Sequence, residues 1–355
     1  MTGHDLGARH LCRGILTHPL GLHCNVPTDE TLPDGSVRAS RFLAGLHRAV
    51  ERGATFFDTA DSYGCGYSER VLGQFSRQIS RQNPELTLQL SSKVGQIRGS
   101  AEHPYAGRHI HHQLEQTLEN LYAEELHLYT LDSFDFGPGD RYLGNAIDAM
   151  RTLREVKAIR AIGMRGPFTH YAASPEEWAA QADRFLYLFR LIKPDVVWTR
   201  FNAFTPAVSL DGQDLFTFAA RNGVGLVLAA PLAHGVLVGN DTASHSSHAP
   251  VPPRRAGLMP WLRERVDEQL RVLLKHFGDA PGTLGRLALR SSLQRSDQCV
   301  VVAGFSTAEQ VEENFSCLGD PLTELELGIV DDVYAGLRTQ VGEAASRLPV
   351  KELQP

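Results

Sequence analysis

The segment Phe56–Gly64 reads FFDTADSYG and the segment Ser91–Gly95 reads SSKVG. Together they set an acid (Asp58), a phenol (Tyr63) and an amine (Lys93) near the ends of two neighbouring strand-like runs. A lysine ammonium beside a phenol lowers the phenol's pKa, and an aspartate beside that lysine keeps it charged and oriented. The expected chemistry is a phenol that gives a proton to a carbonyl oxygen, or takes one from an alcohol, near neutral pH. It depends on the ammonium of Lys93 touching the phenol of Tyr63 within one pocket.

The elements that must position these groups follow from apolar runs alternating with helix-length segments. The runs are 11–16, 55–60, 86–94, 126–134, 159–164, 196–202, 224–232 and 299–305. Nearly continuous apolar strands separated by helices imply a parallel sheet buried on both faces. Eight such units imply a (β/α)8 TIM barrel, an α/β fold whose site lies at the C-terminal strand ends. Asp58, Lys93, Asp132, Arg165, Asn202 and Pro231 fall at or just beyond those ends, and Tyr63 in the following loop. Helices are expected over 40–52, 140–156 and 307–318, the last opened by Thr307 as N-cap with Gln310 completing a capping box. Residues 240–259 are rich in Ser, His and Pro without apolar period. They are expected to form a long mobile loop, either a flap over a ligand or a tether.

At 355 residues and 42% hydrophobic content the chain suits one large barrel domain spanning 1–355. A net charge of −6 gives no electrostatic case for nucleic acid or an anionic membrane. No apolar run approaches the roughly 20 residues that span a bilayer, and the N-terminus lacks a signal-peptide pattern. Cys12, Cys24, Cys65, Cys299 and Cys317 are scattered and odd in number, which reads as reduced thiols in the cytoplasm. The histidine pairs His111/His112 and His245/His248 lack carboxylate or Cys partners at ligand spacing, so no metal is expected.

The ordered set of motifs resembles the aldo/keto reductase family over almost the whole chain. Beyond the two opening motifs, SERVLG at Ser68–Gly73 resembles the helix start after the family's catalytic tyrosine. PLAHGVLVG at Pro231–Gly239 resembles the loop that wraps the cofactor diphosphate, which implies binding roles for Pro231, Leu232 and Gly235. GFSTAEQVEEN at Gly304–Asn314 resembles the adenosine-end motif, with Gly304, Ser306, Gln310, Glu313 and Asn314 at the matching places. The resemblance implies NADP(H) as cofactor and a catalytic set of Asp58, Tyr63, Lys93 and Asp132. Thr307 stands where a basic residue usually meets the 2′-phosphate, so a preference for NADP over NAD has no local support.

Four places depart from the family pattern. LYTLDSFD puts Asp132 where the tetrad histidine usually ends strand four. Ionised, Asp132 would raise the Tyr63 pKa; protonated, it could donate a hydrogen bond to a carbonyl. The family's steroid double-bond reductases carry Glu here, so Asp132 could favour enone C=C reduction, or it could have no catalytic role. GMRGPF puts Arg165 and Gly166 where Ser and Asn usually bind the nicotinamide amide. Trp198 replaces the family's Gln, and Ala229 and Ala230 replace a stacking aromatic and a Ser. Arg165 and Arg200 read either as an anion clamp for the substrate or as ion-pair partners of Asp132; Trp198 could stack on a ligand. The implied function is NAD(P)H-dependent reduction of a carbonyl or enone on a small polar metabolite such as a sugar derivative. The alternatives are the same barrel turned to non-redox proton transfer (a dehydratase or epimerase), or a non-catalytic binding subunit.

Overall fold

The computed structural model describes residues 7–26, 38–168, 173–238 and 260–345. Two short strands, β1 (Arg9–Cys12) and β2 (Ile15–Thr17), pair antiparallel at its start. Eight more close a parallel barrel in chain order: β3 (Leu20–His23), β4 (Phe56–Asp58), β5 (Gln89–Val94), β6 (Leu126–Leu131), β7 (Ile159–Arg165), β8 (Val196–Arg200), β9 (Gly225–Ala229) and β10 (Cys299–Gly304). The helices are α1 (Arg38–Glu51), α2 (Tyr67–Gln82), α3 (Gly107–Leu121), α4 (Leu143–Glu155), α5 (Pro175–Ile192), α6 (Leu215–Asn222), α7 (Pro260–Phe277), α8 (Thr283–Leu293), α9 (Ala308–Ser316) and α10 (Glu324–Ala345).

The barrel is the one expected from eight apolar runs, with one correction. The run at 11–16 is not the first barrel strand. Gly14, at φ 72°, turns the chain back on itself and splits the run into the β1–β2 hairpin. The first barrel strand is the next segment, Leu20–His23, which is too short and too glycine-interrupted to show a period. The hairpin closes the barrel at the N-terminal strand ends. Leu11 and Ile15 join Phe56, Leu128, Ala161, Val196, Val227, Val300 and Val302 in the barrel interior. Contact there is so close that a Cβ added to Gly225 would lie 2.0 Å from the Leu11 carbonyl oxygen.

Side chains alternate along a strand, so a register set by those interior residues fixes which side chains line the mouth. Two residues beyond Phe56 is Asp58, four beyond Leu128 is Asp132, four beyond Ala161 is Arg165 and four beyond Val196 is Arg200. The site is therefore the upper layer of the same column that forms the core. Thr307 caps α9 as expected by accepting from the Gln310 N–H (3.3 Å), but the Gln310 amide oxygen accepts from Ser306 N, one residue earlier than a capping box would have it. A second apolar cluster, including Leu270, Leu273, Leu284, Leu287 and Leu337, joins α7, α8 and α10. The segment 240–259 lies outside the described residues.

Candidate active site

Asp58 is the hub. It is fully buried at the end of β4, and its two carboxylate oxygens gather four side chains from three other strands. Lys93 Nζ donates to Oδ2 at 2.7 Å and Trp198 Nε1 at 3.1 Å, while Ser91 Oγ donates to Oδ1 at 2.9 Å. His23 Nδ1 stands 3.4 Å from Oδ2. Burial pushes the Asp58 pKa up, but the Lys93 charge and the His23 contact outweigh it and hold the carboxylate below its ordinary range. Lys93, also buried, is correspondingly raised: burial lowers it, and Asp58 more than restores the charge. Its second bond, 2.5 Å, goes to the Thr59 carbonyl.

Tyr63 lies beside this pair. Lys93 Nζ is 5.4 Å from the centre of the Tyr63 ring and 4.9 Å from that of Trp198. The amine and the phenol thus share one buried pocket, but among the described residues no hydrogen bond joins Nζ to the phenol oxygen. The expected lowering of the phenol's pKa is also corrected. Burial pushes it up, Lys93 pulls it down, and Asp58 and Asp132 push it up again, leaving Tyr63 above its ordinary value. A phenol that keeps its proton at neutral pH is set up as a donor.

Asp132 follows β6. Burial pushes its carboxyl up more than Lys93 and Arg165 pull it down, so its pKa is raised. Arg165 reaches the Asp132 carbonyl oxygen at 3.4 Å rather than its carboxylate. Arg165 and Arg200 both pack their guanidinium groups on Phe168, at 5.5 and 4.5 Å from the ring centre. Two cations are thus held at the rim by one aromatic ring. Trp198 is 6% exposed, and its indole N–H is taken up by Asp58.

The two halves of a nicotinamide dinucleotide site differ. At the adenosine end, Gly304 and Gly235 open onto space that a Cβ would meet nothing in, and Gly235 takes φ +87°, which favours glycine. Asn314 Nδ2 donates to the Gly304 carbonyl at 3.4 Å, tying β10 to α9, and the N-terminus of a helix is a position that suits phosphate. Pro231 and Leu232 follow β9 directly, and Glu313 sits on α9. Among the described residues the open space at Gly304 and Gly235 leaves room for a diphosphate and adenosine. The ring end is not built as the resemblance would have it. Gly166 is buried against Thr199, with a Cβ 2.7 Å from Thr199 Cβ, so an amide side chain there would clash. Ala229 is buried, and Ala230 takes φ 56°.

Residue reasoning missed three parts of this site. His23 was hidden because the wrong run was taken as the first strand. Ser91 was quoted but given no role. Asp61 and Glu69, in DTADSYG and SERVLG, form a buried acidic layer behind Tyr63, where Glu69 accepts from Ser92, Thr117 and Asn120. Burial, then Glu69, push Asp61 up to about 7, with Asp132 adding to them and the Ser62 N–H and Lys93 opposing. A carboxyl raised in the fold binds its proton where the unfolded chain has lost it, so stability falls as pH rises from about 4 to 7. Asp61→Asn is expected to remove this slope, worth on the order of 2 kcal/mol between pH 5 and 7 at 1.4 kcal/mol per unit. Urea unfolding at several pH values measures it; equal slopes in both proteins would refute it.

The chain thus forms a closed parallel barrel with a buried lysine–aspartate pair beside a phenol at the C-terminal strand ends. The model of the aldo/keto reductase family matches residues 29–335, and the chain belongs to that family of NAD(P)-dependent oxidoreductases. Among its relatives, L-galactose dehydrogenase of Arabidopsis thaliana is 24% identical over 295 residues, covering 82% of this chain and 81% of that protein. The NADH-specific methylglyoxal reductase of Escherichia coli is 21% identical over 304 residues, covering 80% and 85%. The solved glycerol dehydrogenase of Gluconobacter oxydans superposes with a TM-score of 0.68 at 18% identity, covering 95% of this chain and 96% of that one, a likeness of fold. Among the described residues no helix is long and apolar enough to cross a membrane.

Proposed function

We propose that the barrel reduces a carbonyl, or the C=C of an enone, on a small polar metabolite such as a sugar derivative. The observation that carries this reading is the Tyr63 phenol beside the buried Lys93–Asp58 pair at the barrel rim. Bound nicotinamide supplies the hydride. Gly304, Ser306, Gln310, Glu313 and Asn314, with Pro231, Leu232 and Gly235, would hold its adenosine and diphosphate end. Tyr63 gives its proton to the oxygen that gains charge, and Lys93, fixed by Asp58, stabilises the phenolate left behind. Asp132, in its protonated form, would donate a hydrogen bond to the same oxygen and draw electron density from the reacting bond. Arg165 and Arg200, braced on Phe168, would hold a carboxylate or phosphate on the substrate. Relatives named for L-galactose and methylglyoxal support a small polar substrate.

Calorimetric titration with NADPH and with NADH tests this reading. Saturable binding of at least one, with Kd below about 1 mM, is expected. No heat with either at that concentration would overturn it. The changed ring end favours one second reading, proton transfer without hydride through Tyr63, Lys93 and Asp132. Turnover that survives removal of all nucleotide would select it.

A further inference from the structure

His23 is the one imidazole in contact with the Asp58 hub among the described residues, and nothing above gives it work. Strand register places it between the two halves of the site. It pairs with Asp58 of β4 on one side and with Gly304 of β10 on the other. Its ring stands edge-on to Tyr63, with centroids 5.3 Å apart and planes at 71°. Its side chain is 26% exposed where Asp58 has no exposure at all, so it connects the buried cluster to the mouth. The 3.4 Å contact of Nδ1 with Asp58 Oδ2 sets its chemistry. A carboxylate accepts and cannot donate, so Nδ1 carries the hydrogen and Nε2 is the nitrogen free to exchange a proton.

We infer that His23, at the end of the first barrel strand, returns the proton to Tyr63 after each turnover. The inference rests on the reductase reading. In the step it serves, the carbonyl carbon takes the hydride and the C=O π pair moves to oxygen. That oxygen takes the phenol proton as the Tyr63 O–H bond breaks. The phenolate then takes the Nε2 proton of the His23 imidazolium, directly or through one water, and His23 is left neutral with Nδ1–H still on Asp58. Solvent at the mouth supplies the next proton to Nε2, so the cycle consumes one hydride and one solvent proton. The charged groups that face His23 are Asp58 and Lys93, with Tyr63 against its ring. Asp132, Arg165 and Arg200 stand further round the rim.

The test uses the full chain, NADPH and NADH as hydride sources, and methylglyoxal as the carbonyl probe. His23→Ala is expected to lower kcat about 10- to 100-fold, with KM and cofactor Kd changed less than about twofold and the thermal midpoint kept. Added imidazole should restore part of the rate, which no purely structural role predicts. A rate within twofold of wild type that added imidazole does not change, while Tyr63→Phe is inactive, would overturn the inference and leave the reductase reading standing. A rise in cofactor Kd alone would likewise overturn it, making His23 a cofactor contact. Retained activity in Tyr63→Phe would instead sink the reading on which the inference rests. Nitrogen-15 spectra of histidine-labelled wild-type protein decide independently of turnover. The neutral ring of His23 should carry its hydrogen on Nδ1; a hydrogen on Nε2 would refute the proposed relay.

Discussion

Tyr63→Phe is expected to lower the rate of nicotinamide-dependent methylglyoxal reduction by about 10²- to 10⁴-fold, the range a positioned general acid contributes. Phenylalanine keeps the ring that stands edge-on to His23 and lies 5.4 Å from Lys93 Nζ, so only the hydroxyl is lost. The thermal midpoint and the cofactor Kd should therefore stay near wild type. Initial rates beside a cofactor titration measure this. In wild-type protein the alkaline limb should begin only above the ordinary phenol value of about 10, because burial and the two carboxylates hold the Tyr63 pKa up despite Lys93. Activity within tenfold of wild type in the variant would remove Tyr63 from the chemistry and favour a binding role for the barrel.

Lys93→Met should be the most destabilising single change at the site. Lys93 and Asp58 are 1% and 0% exposed and paired at 2.7 Å, so deleting the cation strands a carboxylate in the core. Breaking such a pair from one side typically removes about 3–5 kcal/mol, and the urea midpoint should fall accordingly. The double change Asp58→Asn with Lys93→Met should recover part of the loss, because the orphan charge goes with its partner. Asp58 lies below its ordinary pKa in the fold, so its contribution is present above the unfolded value of about 3.9 and is lost as pH falls. Lys93 is raised, so its contribution is present below about 10.4 and is lost as pH rises. The deficit of Lys93→Met should thus be flat between about pH 5 and 9. A variant as stable as wild type would mean that water or another cation reaches Asp58.

Much of this molecule is legible in residue order because parallel barrel strands are buried on both faces and so read as apolar runs. Strands β4 to β10 each match one such run to within a residue, and the acids and cations of the mouth, Asp58, Lys93, Asp132, Arg165 and Arg200, lie at or next to the ends of β4 to β8. Asp58, Tyr63 and Lys93 are close in the chain to those ends, so local spacing sufficed to bring them together. The hairpin Arg9–Thr17 shows the limit of run counting, since Leu11 and Ile15 are apolar because they plug the barrel floor rather than because they form a strand of its wall.

The residue pattern by itself determined the eight-stranded barrel, the family and the acid–phenol–amine set, because those depend on periodicity and on neighbours in the chain. Only the tertiary structure decided that Trp198 and His23 converge on Asp58 from strands 140 and 35 residues away. The direction of the Tyr63 shift was likewise settled only there. Desolvation depends on everything packed round a group, and that sum over distant segments outweighs the one charge that local spacing reveals.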